Sequence, residues 1–184
     1  NKSPEILAPV AAYIYHRIEE MVQENPSPFI VWTDEYKTHI TNPILAKETV
    51  KAKEQYRKLD GVSVDAVQDI SHVVGTKREP NKMGIDSINQ YENFIFFPTT
   101  SADPDLLSEH CNISNDEFDW ITDTSNTRKI LLKKKSGSST ILDVDLSRLG
   151  MLLKSYSSDA DRVMELRKLM KTNKNNWAKE FLGL

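Results

Sequence analysis

The sequence predicts an α/β fold in which parallel strands with flanking helices are followed by a β-hairpin and C-terminal helices. Three observations carry that reading. Phe29-Ile30-Val31-Trp32-Thr33 is a short apolar run of the kind that forms a strand buried on both faces. It sits in the order helix, strand, helix, strand, which is the alternation of a parallel βαβ sheet. Residues 128–134 and 140–146, joined across Ser136-Gly137-Ser138, read as a hairpin.

Each element has a local cause. Leu7, Val10, Ile14, Ile18 and Met21 recur at spacings of three and four, so residues 4–24 form an amphipathic helix that Pro26 and Pro28 end. After the apolar strand, Asn42 is placed to cap a second helix, with Pro43 at its first position. That helix carries Ala46, Val50, Lys53 and Arg57 and stops at Asp60-Gly61. Residues 62–67 follow as a short strand, with Gln68 just past its end. The stretch from Gly75 to Gly84 is polar and rich in breakers, and reads as a mobile loop with solvated charges. Residues 93–97 form a third buried strand, closed by Pro98, and the three strands are expected to be parallel neighbours with Asp34 and Gln68 at one sheet edge. Short helices follow over 104–110 and 114–122, where Ser114 and Glu117 have capping-box spacing. The remainder, 147–184, reads as helical, with Val163, Leu166, Leu169 and Met170 on one face and Trp177 with Phe181 on another.

Composition narrows the function classes. With 184 residues, 39% hydrophobic and 28% charged, the chain suits one globular domain with a core and an appended helical piece. A net charge of -3 gives no overall electrostatic case for nucleic acid. The single Cys111 excludes an internal disulfide and fits a reducing compartment. No apolar run approaches the ~20 residues that span a bilayer. His16, His39, His72 and His110 show no zinc-type spacing, and a Cys-His nucleophile on Cys111 has no supporting motif. The chain opens at Asn1 without an initiator Met and is expected to be a fragment of a longer polypeptide.

The residues after the apolar strand carry chemistry. Asp34-Glu35 falls at its carboxyl end, where open α/β sheets hold ligands, and the pattern is that of a Walker B strand. In a nucleotide hydrolase the first acid holds Mg²⁺ through water and the second polarises the attacking water. A core strand with a solvated acidic end fits the same seven residues. The six glycines are scattered, with no phosphate-binding loop and no dinucleotide fingerprint. Such a loop would have to precede Asn1 in a working nucleotide hydrolase.

Tyr13-Ile14-Tyr15-His16-Arg17-Ile18-Glu19 followed by Pro28-Phe29-Ile30-Val31-Trp32-Thr33-Asp34-Glu35 resembles the helix and Walker B strand of the conjugal-transfer ATPases of bacterial type IV secretion, the fourth VirB component and its TrbE-like relatives. The likeness continues in order through Tyr56-Arg57-Lys58-Leu59-Asp60-Gly61, Phe96-Phe97-Pro98, Arg128-Lys129-Ile130-Leu131-Leu132-Lys133, Val144-Asp145-Leu146-Ser147-Arg148-Leu149 and Trp177. It implies the C-terminal portion of a RecA-like P-loop NTPase sheet: residues 1–146 as a partial ATPase domain lacking its Walker A half, and 147–184 as a helical extension. It implies ATP and Mg²⁺ in the parent protein, with Asp34 on Mg²⁺ through water, Glu35 activating water and Gln68 as a polar sensor. Arg57 and Arg128 match arginines that reach a phosphate, in one arrangement on the adjacent subunit of a ring. Implied partners are other secretion-apparatus proteins and further copies of the chain, in the manner of a hexamer, at the cytoplasmic side of the bacterial inner membrane.

The sequence also departs from that pattern. Val67-Gln68-Asp69-Ile70 stands where the family has Thr-Gln-Ser-Pro, Lys37 replaces a Trp, and Asp60 replaces an Asn. Two other readings therefore stay open: a catalytically degenerate docking module of the secretion complex, and a ring-type DNA translocase. The second would use Lys133-Lys134-Lys135 on a phosphate backbone, although three lysines on a hairpin equally describe a solvated edge.

Overall fold

Asn42 accepts hydrogen bonds from the backbone N–H groups of Ile44 and Leu45 at 3.1 and 3.2 Å, and Pro43 fills the first helical position, so the longest central helix begins where local chemistry dictates. The structure is a computed structural model that describes residues 4–150, 153, 159–173 and 176–182. Its elements run α1 (Pro4–Glu24), β1 (Phe29–Thr33), α2 (Tyr36–Thr41), α3 (Pro43–Lys58), β2 (Gly61–Asp65), α4 (Ser71–Val74), α5 (Lys82–Ile88), β3 (Asn93–Phe96), α6 (Pro104–Cys111), α7 (Asn115–Thr122), β4 (Lys129–Lys134) and β5 (Ser139–Asp143). A 3₁₀ turn (Ser147–Leu149), α8 (Ala160–Thr172) and α9 (Trp177–Leu182) follow. The chain divides into two compact units, Asn1–Leu142 and Asp143–Leu184.

In the first unit β1 and β2 are parallel, in register from Phe29 opposite Gly61 to Thr33 opposite Asp65. Helices α1 and α3 cover the Phe29 and Val31 side through Ala11, Tyr15, Leu45, Ala52 and Tyr56. The expectation of burial on both faces fails: Ile30, Trp32 and Val62 are 70%, 67% and 54% exposed, because the helix layer lies on one face only. The expected row of three parallel strands is also corrected. β3 pairs antiparallel with β4, and β4 with β5, in a separate three-stranded sheet. Two short helices, α4 and α5, fill the connection, and Phe94 of β3 packs against the core cluster that holds their Val73, Val74 and Ile88 while its strand ladders with β4. Ile95 on β3 is 55% exposed, so that strand is not buried throughout either. Beyond β3, the capping box at Ser114 and Glu117 is formed on α7 as its spacing requires.

The Gly75 to Gly84 stretch is shaped rather than loose. Gly75 bridges Pro80, the Asn81 N–H donates to the Val74 carbonyl at 2.8 Å, and the Asn81 side chain accepts from the Gly84 N–H while donating to the Ile40 carbonyl. α5 therefore starts inside the segment read as a loop. Gly84 is required there by contact: a Cβ would lie 1.8 Å from the Val73 carbonyl oxygen.

In the second unit Asp159 caps α8, accepting from the N–H groups of Asp161 and Arg162. Val163, Leu166 and Leu169 are half-buried on it and Met170 is exposed, so the expected stripe is narrower by one residue. The Trp177 N–H donates to the Asn173 carbonyl at 2.9 Å, which sets the turn into α9. The parts of the expected C-terminal helix at 151, 152, 154–158, 174, 175, 183 and 184 lie outside the described residues.

The Gly84 contact makes a prediction. Gly84→Ala should lower stability by about 1–3 kcal/mol, because α5 must move off α4 to admit the methyl group. Urea denaturation is the measurement, and an unchanged midpoint would show that the two helices are not in this close contact.

Candidate functional site

The parallel pair ends in a small hydrogen-bonded knot. Past the ladder, the Ala66 N–H donates to the Thr33 carbonyl at 2.9 Å and the Tyr36 N–H donates to the Ala66 carbonyl at 3.1 Å. Between these ties the chain turns through Glu35, which adopts the left-handed conformation (φ 54°, ψ 44°) and donates its N–H to Asp34 Oδ1 at 3.0 Å. A glutamate held there costs roughly 1–2 kcal/mol of backbone energy, of the sort stored at sites whose surroundings over-determine them. The turn carries Glu35 toward β2, and Gln68 Nε2 donates to Glu35 Oε1 at 2.8 Å. Asp34, Glu35 and Gln68 thus share the C-terminal end of the parallel pair, and all three are exposed. Asp34 also lines a cavity of about 210 Å³ between α1 and β1, with Ile14, Tyr15, Trp32 and His39. There the Tyr15 hydroxyl lies 3.0 Å from His39 Nδ1, and burial holds the His39 imidazole below its ordinary pKa.

The two arginines lie apart from this knot. Tyr56, beside Arg57, meets the Phe29 ring edge-on at 5.3 Å, which fixes the C-terminal end of α3 at the start of β1. Arg57 is therefore at the opposite end of the parallel pair from Glu35. Arg128, left-handed at φ 65°, precedes β4, and is exposed. Among the described residues no hydrogen bond or ion pair joins either guanidinium to Asp34, Glu35 or Gln68.

Two departures from the family pattern have structural roles of their own. Asp60 sits in the left-handed region at φ 56°, a conformation that Asp and Asn both tolerate. The Asp69 carboxylate accepts the Ser71 N–H at 2.7 Å and so serves the first turn of α4.

Directly behind the knot is a cluster that the sequence reading did not identify. The Lys53 ammonium, on α3, is 2.9 Å from Asp65 Oδ2, with both side chains almost wholly buried. It also donates to the hydroxyls of Tyr36 (2.8 Å), Ser87 (3.0 Å) and Tyr91, and lies 4.0 and 4.6 Å from the Tyr36 and Tyr91 ring centres. Tyr91 in turn donates to Asp65 Oδ2, and Ser63 donates to the same oxygen. Asp65 Oδ1 is buried with no hydrogen-bond partner among the described residues. Burial, partly offset by Asp65, pulls Lys53 down to about 8. The sequence did carry a signal: Lys53 falls on the stripe of Ala46 and Val50, a position that an amphipathic helix gives to its core.

A second buried lysine corrects the hairpin reading. Lys133 does not form a solvated edge: it is buried and donates to both oxygens of Glu117 at 2.9 Å and to the Gly137 carbonyl at 3.1 Å. Lys135 donates to the Asn89 carbonyl at 2.6 Å, leaving Lys134 exposed. Burial alone would push the Glu117 carboxyl up. The Ser139 hydroxyl, the Ser114 N–H and the Lys133 ammonium outweigh it and bring the group down to about 2. His16 is a surface residue 3.2 Å from Glu20, and burial pushes the Cys111 thiol up to about 12, which makes it a poor nucleophile.

Fold and site define an α/β protein with an acidic pair and a glutamine at the carboxyl end of adjacent parallel strands. Over 97% of its length the chain is 30% identical to the proteins named "Protein virB4" of Rhizobium radiobacter and Agrobacterium fabrum, covering 22% of each. Over 88% of its length it is 23% identical to the "Type IV secretion system protein virB4" of Brucella abortus, covering 19% of it. The chain is therefore homologous to one segment of the VirB4 proteins, and spans about a fifth of the length of the curated relatives it matches. No protein-family model matches it. Among the described residues no helix is long and apolar enough to cross a membrane.

The Glu117 site sets an acid-stability prediction. The free carboxyl titrates at 4.5 and the folded one at about 2, so Glu117 stabilises the fold above pH 4.5 and loses that contribution as pH falls toward 2. Glu117→Gln should therefore flatten the loss of stability across that window. Urea midpoints measured from pH 7 down to pH 2.5 test this, and parallel wild-type and variant curves would show that Glu117 contributes nothing there.

Proposed function

We propose that this chain is part of a longer ATPase of a bacterial type IV secretion apparatus, and that it supplies the carboxylates and sensor glutamine of the hydrolytic site. The observation that carries the reading is the 2.8 Å hydrogen bond from Gln68 to Glu35 at the carboxyl end of two parallel strands. The names of the relatives support the secretion assignment. Residues 1–146 would form the partial RecA-like ATPase domain and 147–184 its helical extension, peripheral to the cytoplasmic side of the inner membrane and in contact with other apparatus proteins.

The residues suit the chemistry. Asp34 is an exposed oxygen donor, the ligand type that Mg²⁺ takes with most of its own water retained, and it would hold that ion through water. Bound with ATP, Mg²⁺ would neutralise charge on the phosphates. Glu35 would take the proton of the attacking water onto its carboxylate, and Gln68 would fix the carboxylate through its amide while sensing the terminal phosphate. The chain itself has no glycine-rich loop to cradle phosphates, so that part is assigned to the rest of the polypeptide.

The isolated chain should accordingly bind ATP and Mg²⁺ with no micromolar affinity and show no turnover in calorimetric titration and phosphate-release assays. Micromolar binding or sustained hydrolysis would remove the idea that the phosphate cradle lies elsewhere.

In the complete polypeptide, Glu35→Gln should lower single-turnover hydrolysis by about 10²-fold or more with ATP affinity preserved. The substitution keeps an amide oxygen to accept from Gln68 but loses the base. A merely solvated strand-end acid would leave the rate within about twofold and stability within ~0.5 kcal/mol.

A further inference from the structure

We infer that the buried Lys53–Asp65 pair, acting through Tyr36, is the device that positions Glu35 against Gln68. Lys53 and Tyr36 are then positioning residues of the proposed hydrolytic site, and the kinetic part of the inference rests on that proposal. Glu35 holds a left-handed backbone, and its exposed hydrogen bond to Gln68 is too accessible to water to enforce it alone. The enforcement comes from its neighbour. Tyr36 is 1% exposed, its hydroxyl lies 2.6 Å from Ser87 Oγ and accepts from Lys53, and its ring faces the Lys53 ammonium. On the other strand, Asp65 takes the same ammonium and is followed at once by Ala66, which ties Thr33 and Tyr36 through its two backbone bonds. Gln68 stands two residues further on. One buried cation therefore fixes the residue after Glu35 and the strand end before Gln68 together.

Two variants separate this from plain stability. Tyr36→Phe keeps the buried ring and removes the hydroxyl; Lys53→Met removes the cation at similar length. Ile121→Val, in the separate cluster around Leu107 and Leu131, serves as a buried control. In the 184-residue chain, the side-chain amide signals of Gln68 and the backbone amide signal of Glu35 should shift in both variants and stay in place in the control, as read by ¹H–¹⁵N NMR. In the complete polypeptide both variants should lower single-turnover hydrolysis about tenfold with ATP affinity within twofold. Should Lys53→Met fail to fold, Tyr36→Phe and Ser87→Ala carry the same readouts. Folded variants whose Gln68 and Glu35 signals match the wild type would overturn the inference. Shifted signals in a protein whose turnover survives Glu35→Gln would instead uphold the positioning and remove the hydrolytic reading.

Discussion

The structure of the first unit depends on where one charge is put. Lys53 brings its ammonium to a point where α2, α3, α5 and β2 meet, and the three protons of that group face one carboxylate and three hydroxyls supplied by Tyr36, Asp65, Ser87 and Tyr91. Buried ion pairs stabilise little against an apolar core of the same shape, since desolvation offsets most of the attraction, whereas losing one partner costs several kcal/mol. The pair is best understood as a constraint on geometry. Burial pulls Lys53 down while Asp65 holds it up, and the contacts that satisfy the ammonium are made where these four elements converge. Asp65 Oδ1, left without a partner among the described residues, marks the incomplete satisfaction that such an arrangement carries.

What the sequence made legible was what short-range chemistry decides. The Asn42-Pro43 start of α3, the capping box of α7, the hairpin and the strand ending in Asp34-Glu35 all follow from residues within a few positions of one another. What escaped was decided at long range. α2, α4 and α5 are four to seven residues long, too short for periodicity to show, and exist because Tyr36, Val73, Val74 and Ile88 are buried in a shared core. The placement of β3 failed for the same reason, because an apolar strand does not state which edge it will pair with. The solvated-edge reading fails at Lys133, and the Lys53 cluster escapes notice, because charge marks solvent only where no partner is buried with it, while Lys53 and Lys133 each bring a carboxylate inside with them.

The candidate site divides along the same line. Asp34 and Glu35 stand out by their position after an apolar run and Gln68 through the family resemblance, although β2 ends at Asp65 and not at the expected Val67; the left-handed turn that lets Glu35 and Gln68 meet was not legible, because it is imposed by Tyr36. The departures from the family pattern also become less disruptive in three dimensions. Asp60 keeps the backbone freedom that an Asn would supply, and Asp69 spends a carboxylate oxygen on the first turn of α4. Neither substitution alters the groups in the Glu35–Gln68 contact.

The arginines lead to the last step. β1 is five residues long, so its two ends are about 16 Å apart, and Arg57 is at the Phe29 end while Glu35 is past the Thr33 end. An extended arginine side chain does not cross that distance through a packed helix layer. If Arg57 stabilises phosphoryl charge in the proposed reaction, that charge lies away from the Glu35 end of its own strand pair, which fits the arrangement with the arginine on an adjacent subunit. The topology of a single βαβ unit thus links two parts of the proposal: acid groups at one end of the strands and a guanidinium at the other suit subunits placed end to side, as in a ring. A monomer with full activity would leave Arg57 a surface residue and restrict the chemistry to Asp34, Glu35 and Gln68.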